Sequence, residues 1–190
     1  MADFETAFKR TDKAEGGYAD DPDDSGGETF RGIARNFHPG WSGWARIDEI
    51  KRTLVRVRWN AEMRLATADQ VEAFYRTFYW HPIQGDALPD QDVANILYDA
   101  AVNQGTHPAA CFLQEALNLL NRNGSDYLDL VVDGKIGPRT LAALQVHLRG
   151  EKSPALLLKV VGFLRMEQWV NLMRRKPSQE KFARSWLARI

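Results

Sequence analysis

The chain has 190 residues, 44% hydrophobic, with 25 Lys+Arg against 25 Asp+Glu. That length and apolar content exclude a disordered chain and suffice for one domain or two small lobes sharing a core. Zero net charge argues against a dedicated nucleic-acid binder, one cysteine excludes an intramolecular disulfide or a Cys-based zinc site, and no apolar run approaches the ~18 residues of a membrane span. Neither a nucleic-acid partner nor stable membrane insertion is therefore expected.

Residues 1–5 (Met1-Ala2-Asp3-Phe4-Glu5) show no basic n-region and no apolar h-region. No signal peptide is expected, and synthesis is expected in the cytoplasm. The charge is unevenly spread. Residues 12–28 hold seven acids against Lys13, and residues 174–190 hold six bases against Glu180. Either these are two solvated faces, or the basic tail meets an anionic polymer or a membrane surface.

Helical spacing dominates. Phe4, Ala7, Phe8 and Thr11 predict a first helix, stopped by Gly16-Gly17. Residues 19–27 are a turn-rich loop, and Thr29-Phe30-Arg31-Gly32-Ile33 is the candidate short strand. Gly40-Trp41-Ser42-Gly43-Trp44 reads as an aromatic loop. Ile47, Ile50, Leu54 and Val57 mark a second helix, and Thr67 to Gln70 has capping-box spacing for a third, ended by His81-Pro82. Residues 83–91 read as a linker. Beyond it, Val93 to Ala101 predicts a helix closed by Gly105, and Pro108 opens another. Asp133-Gly134 is a turn, Gly137-Pro138 opens a helix that Gly150 closes, and a long helix runs from Ser153-Pro154 to about Lys176. Phe182, Trp186 and Ile190 end the chain as an amphipathic helix. The class is mainly α, with at most a small β-hairpin near residues 25–35.

Glu15 is the most informative residue. It lies eleven after Phe4, and eleven steps of 100° return to within about 20° of the starting face. It therefore projects from the apolar face at a helix C-terminus, where desolvation and the helix dipole both raise a carboxyl pKa. A carboxyl kept protonated is what a general acid needs; the alternative is a frayed terminal Glu reaching water. Asp24 follows on the Gly-rich loop and Thr29 five later. An ionised carboxylate and a hydroxyl can hold a water, and one raised and one ordinary carboxyl across a cleft suit glycoside hydrolysis. A solvated acidic turn is the alternative. A calcium loop fits poorly, because Pro22 interrupts the alternation of Asp20 and Asp24. His38, His81, His107 and His147 show no metal spacing, and no cofactor motif is present.

Glu15-Gly16-Gly17-Tyr18, then Asp20, Pro22, Asp24, Gly26-Gly27, Thr29 and Gly32-Ile33, resemble the signature of glycoside hydrolase family 108. These N-acetylmuramidases are typified by a Glu-Gly-Gly-Tyr box and occur among phage endolysins and bacterial secretion-activator proteins. Tyr98 to Gly105, Leu113-Gln114, Asp133 to Thr140 and the closing Trp186-Leu187-Ala188-Arg189 resemble the family's C-terminal peptidoglycan-binding region.

The resemblance implies a lysozyme-like helical fold, with a catalytic lobe at 1–88 and a helical binding lobe at 89–190 packed into one globular unit. It also implies cleavage of the β-1,4 bond between N-acetylmuramic acid and N-acetylglucosamine. Glu15 maps onto the catalytic acid; Asp24 and Thr29 follow a looser resemblance to phage-type lysozymes. The expected partner is the peptidoglycan glycan strand, met in the periplasm or cell wall by a monomer that needs a holin or another export route. Tyr18, Asp20, Trp41 and Trp44 are candidate sugar contacts. Asp99, Asn103 and Gln104 could bind acetamido or hydroxyl groups, with helix capping and packing as their alternative. A lytic transglycosylase using Glu15 alone and a non-catalytic wall-binding protein remain open.

Overall fold

The computed structural model describes residues 1–12, 16–21, 26–151 and 153–189. Glu15 and Asp24 lie outside the described residues. The elements are α1 (Phe4–Asp12), β1 (Tyr18–Ala19), β2 (Thr29–Phe30), β3 (Ile33–Ala34), α2 (Gly43–Thr53), α3 (Trp59–Ala66), α4 (Ala68–Tyr75), α5 (Gln91–Gln104), α6 (Thr106–Leu120), α7 (Pro138–Glu151), α8 (Ala155–Arg175) and α9 (Ala183–Leu187). The fold is mainly α with one small antiparallel sheet in the order β1-β2-β3. Its contacts divide into two compact units, residues 8–78 and residues 1–7 with 79–190.

In the 8–78 unit, Phe30, Ile33, Trp44, Ile47, Met63 and Val71 are buried. The expected strand at 29–33 is broken in its middle. Arg31 and Gly32 both adopt positive φ (47° and 76°), as the two-residue turn between twisted strands requires. The non-glycine member is held by its surroundings: the Tyr75 hydroxyl donates to the Arg31 carbonyl at 2.7 Å, and the guanidinium lies 5.7 Å over the Phe8 ring. The turn pairs Phe30 with Ile33, and β1 adds a third strand through Tyr18↔Phe30. The second helix stops at Thr53, four residues short of the expected Val57, and a separate helix, α3, follows. Thr67 does not cap α4. Its hydroxyl donates back to the Met63 carbonyl at 2.7 Å, so the last turn of α3 takes the side chain that the spacing had assigned to a cap.

In the other unit Phe4, Trp80 and Tyr98 meet edge to face, with centroids 5.6 to 5.9 Å apart. Around them α6 packs on α5 and α8 through Leu97, Leu113, Leu117, Leu157 and Val161. The expected linker at 83–91 is instead part of this core. Ile83 and Leu88 are fully buried, Gly85–Ala87 forms a 3₁₀ turn, and Trp80 Nε1 donates to Asp86 at 2.8 Å. Its Gly, Pro and Asp content reflects tight packing: a Cβ on Gly85 would stand 2.2 Å from the Trp80 indole. Asp90 then caps α5, accepting from the Asp92 and Val93 amides at 2.9 and 3.0 Å.

Gly85→Ala is predicted to destabilise the protein by about 1–3 kcal/mol, because the added methyl displaces a buried indole. Gly150→Ala, whose Cβ meets open space in α7, should be neutral or slightly stabilising. Thermal melts of the two variants check this; equal melting temperatures would contradict it.

Candidate active site

The chain around the Gly-Gly-Tyr box is held by α3. That helix forms because Met63 is fully buried and Trp59 Nε1 anchors its start to the Leu54 carbonyl at 3.0 Å. From it, Asn60 Oδ1 accepts the Tyr18 backbone N–H at 2.7 Å. One turn on, Arg64 donates to the Gly16 carbonyl at 3.4 Å. Gly17 permits this approach: a Cβ there would lie 2.5 Å from the same Asn60 oxygen. The Tyr18 ring stands edge-on to Trp59, and the Lys51 ammonium lies 5.2 Å over its face. Burial pushes the Tyr18 phenol up in pKa, partly offset by Lys51, so the hydroxyl stays protonated.

Beside Tyr18 sits a chain of charges. Glu28, whose side chain is 11% exposed, accepts from Lys51 at 2.8 Å and from Arg35 on its other oxygen. Arg35 also grips Asp48 with two nitrogens, at 2.8 and 2.6 Å, and lies 4.9 Å over the Trp44 ring. Burial alone would raise the Glu28 pKa. Hydrogen bonds from Lys51, Arg35 and Tyr18 outweigh it and hold the carboxyl below its ordinary value. Glu28 is thus a fixed anion that ties the loop before β2 to α2.

The candidate residues fall in different surroundings. Thr29 stands on β2 next to Glu28, and its hydroxyl donates to the Gly27 carbonyl at 3.0 Å. Its lone pairs can still accept from a water. Asp20 is exposed, 3.5 Å from the Tyr18 hydroxyl. Trp41 is half-buried; its Nε1 donates to the Gln70 carbonyl at 3.1 Å. With Phe37, His38, Phe74 and Phe78 it lines an open groove of about 660 Å³. Trp44 corrects the sequence reading. It lies in the first turn of α2 at 2% exposure, its Nε1 satisfied by the His38 carbonyl, so its ring faces core and not solvent.

Asp99, Asn103 and Gln104 belong to the other unit, where α5 meets α8. Arg165, with no exposed side-chain surface, pairs with Asp99 at 2.5 Å and donates Nε to Gln104 at 2.9 Å. Arg189 takes the second Asp99 oxygen at 3.0 Å, Asn103 donates to the Asp99 carbonyl at 2.7 Å, and Gln104 donates to Gln168. Asp99 and Gln104 thus solvate a buried guanidinium and Asn103 braces Asp99, the capping and packing role that the sequence also allowed. Gln114 does similar work nearby. Its amide donates to Asp133 and the Lys135 carbonyl and accepts the Gly134 N–H, all at 2.9 to 3.0 Å, closing the turn that leads to α7. Cys111 lies 3.6 Å from His107 Nδ1, and burial with Asp133 and Glu115 pushes its thiol up in pKa. Among the described residues no three His, Cys, Asp or Glu side chains cluster closely enough to hold a metal ion.

The sequence reading missed Asn60, Arg64, Glu28, Lys51 and Arg165. Asn60 and Arg64 had one available signal, their spacing of four. Glu28 was visible only as one acid among seven.

Comparison with known proteins adds three findings. The model of glycosyl hydrolase 108 matches residues 8–105, just over half of the chain, and a model described as a predicted peptidoglycan domain matches residues 108–190. Among solved structures, that of Brucella abortus SagA is similar in fold, with 24% identity and a TM-score of 0.60 over 98% of this chain and 88% of that chain. Curated proteins yield no match.

The Glu28 network carries a signed pH prediction. Its depressed pKa contributes stability above the ordinary value of about 4.5, and that contribution is lost as pH falls through the folded value. Glu28→Gln should cost about 2 kcal/mol at neutral pH, the scale of hydrogen bonds to a charged group. The gap to wild type should close under acid. Urea denaturation across the pH range measures it; a gap unchanged in strong acid would contradict the assignment.

Proposed function

The chain belongs to the glycosyl hydrolase 108 family, and we propose that it is an N-acetylmuramidase acting on peptidoglycan glycan strands. The observation that carries this reading is the hold on Gly16, Gly17 and Tyr18. A general acid must be kept within about 0.5 Å of its working position, and the residue that precedes Gly16 in the chain is Glu15. Asn60 and Arg64 bond the backbone directly after it, and Gly17 packs closely against Asn60. Glu28 cannot serve as the acid, because two cations keep it ionised.

In the proposed reaction Glu15 gives its proton to the bridging oxygen, which leaves as the 4-hydroxyl of N-acetylglucosamine. A water held by Asp24 and Thr29 adds its oxygen to the anomeric carbon of N-acetylmuramic acid and its proton to Asp24. Tyr18, Asp20 and Trp41 are the sugar contacts, and the region 108–190 binds the wall. The enzyme works as a monomer in the periplasm or cell wall.

Mass spectrometry of a wall digest tests the reaction. Reducing N-acetylmuramic acid ends are expected; 1,6-anhydro ends would make the enzyme a lytic transglycosylase. Glu15→Gln should lower the rate by about 10²–10⁴-fold, the worth of a general acid. Asp24→Asn should be far more damaging than Asp21→Asn or Asp23→Asn. Near-wild-type lysis by the Glu15 variant would remove the central assignment.

A second prediction concerns Arg174, Arg175 and Lys176, exposed at the end of α8. Walls carry anionic polymers, and attraction between exposed charges is screened over about 8 Å at physiological salt. Neutralising the three residues should slow wall lysis at low salt and matter little at high salt. An equal loss in both would contradict steering.

A further inference from the structure

We propose that the outer face of α3 and the turn before it dock on an anionic phospholipid surface. The exposed aliphatic side chains Val55, Val57 and Leu65 stand 65, 89 and 78% exposed. The 3₁₀ turn Arg56–Arg58 runs directly into α3, so Val57, Ala61 and Leu65 recur every four residues on one helical stripe within about 80° of arc. The opposite side of α3 is spent on the core through Met63. A helix with one face buried and an apolar stripe left in water needs a reason.

The charges around the stripe indicate the partner. Arg52, Arg56 and Arg58 are exposed, Arg64 is exposed beside them while also donating to the Gly16 carbonyl, and within residues 52–66 Glu62 is the one acid against them. Two of these arginines are steadied in place: Arg58 donates to Glu62 at 2.8 Å, and Arg56 lies 5.8 Å over the Trp59 ring. Arginines flanking exposed aliphatic side chains fit the boundary of an anionic bilayer, where guanidinium groups meet phosphates and the aliphatic groups enter the acyl edge. Saccharide recognition would call for flat aromatic faces, and the stripe has none. The surface is peripheral, since no helix among the described residues is long and apolar enough to cross a membrane. The basic C-terminal segment belongs to the other unit. Its Trp186 is stacked on Trp169 and its Arg189 is bound to Asp99, so those groups are committed to the protein.

Vesicle co-sedimentation of the full chain tests the proposal. Wild type should partition onto vesicles containing phosphatidylglycerol and not onto pure phosphatidylcholine. Val57→Asp with Leu65→Asp should reduce that partition at least tenfold. Circular dichroism melts and binding to lipid-free purified walls should match wild type for the Val57/Leu65 variant, since both positions are solvent-exposed. Equal sedimentation with both vesicle types, or binding insensitive to the two aspartates, would overturn the proposal. So would loss of wall binding with vesicle binding intact, which would give the face to the glycan instead. Because the readout is lipid binding, its failure and a failure of the muramidase reading are distinguishable.

Discussion

A single side-chain amide organises the candidate site. Asn60 Oδ1 accepts the Tyr18 N–H, and it occupies the space that any Cβ at residue 17 would need. The constraint is mutual. Gly17 lets the helix come close, and the helix then determines where the backbone runs after Glu15. Without α3, a Gly-Gly pair is among the most conformationally free dipeptides a chain can contain. With it, the same pair becomes a point of closest approach.

Two charge clusters stabilise the two units by the same physics with opposite signs. In residues 8–78 a nearly buried anion, Glu28, is surrounded by Lys51 and Arg35. In the other unit a fully buried cation, Arg165, is paired through Nη2 with Asp99 and through Nε with Gln104. Desolvating either charge is expensive unless its partners arrive from fixed positions. In both clusters they come from different elements: α2 and the residue after β3 for Glu28, and α5 for Arg165 on α8. Each cluster ties together segments that local propensity would leave independent, and each places its charge next to residues of a signature motif, Tyr18 and Thr29 in one case, Arg189 in the other.

The motifs of the C-terminal half change meaning in this light. Asp99 lies in the stretch matched by the glycosyl hydrolase 108 model, and Gln114, Asp133 and Arg189 lie in the predicted peptidoglycan domain; they bond in two pairs, Asp99 to Arg189 across 90 residues and Gln114 to Asp133 across 19. A motif can mark internal wiring as readily as a ligand site. Surfaces offered outward, such as the Trp41 groove and the basic end of α8, carry weaker sequence signals, because a solvent-facing residue has few constraints on its type.

The sequence by itself determined the mainly helical class, most helices of the second half and the family. Helical periodicity and the turn chemistry of Gly105, Pro108, Asp133-Gly134 and Pro138 are local properties, readable without knowing what packs on what. It also led to the Gly-Gly-Tyr box, through the resemblance of Glu15-Gly16-Gly17-Tyr18 to a family signature. Only the tertiary structure decided what holds that box, because Asn60 lies 42 residues from Tyr18. It decided that residues 83–91 are core and not linker, because Gly85 is small to admit Trp80. It decided that Trp44 and Asp99 face inward while Trp41 lines an open groove. These are pairings of residues distant in the chain, and local composition carries no record of which distant side chain will fill a given space.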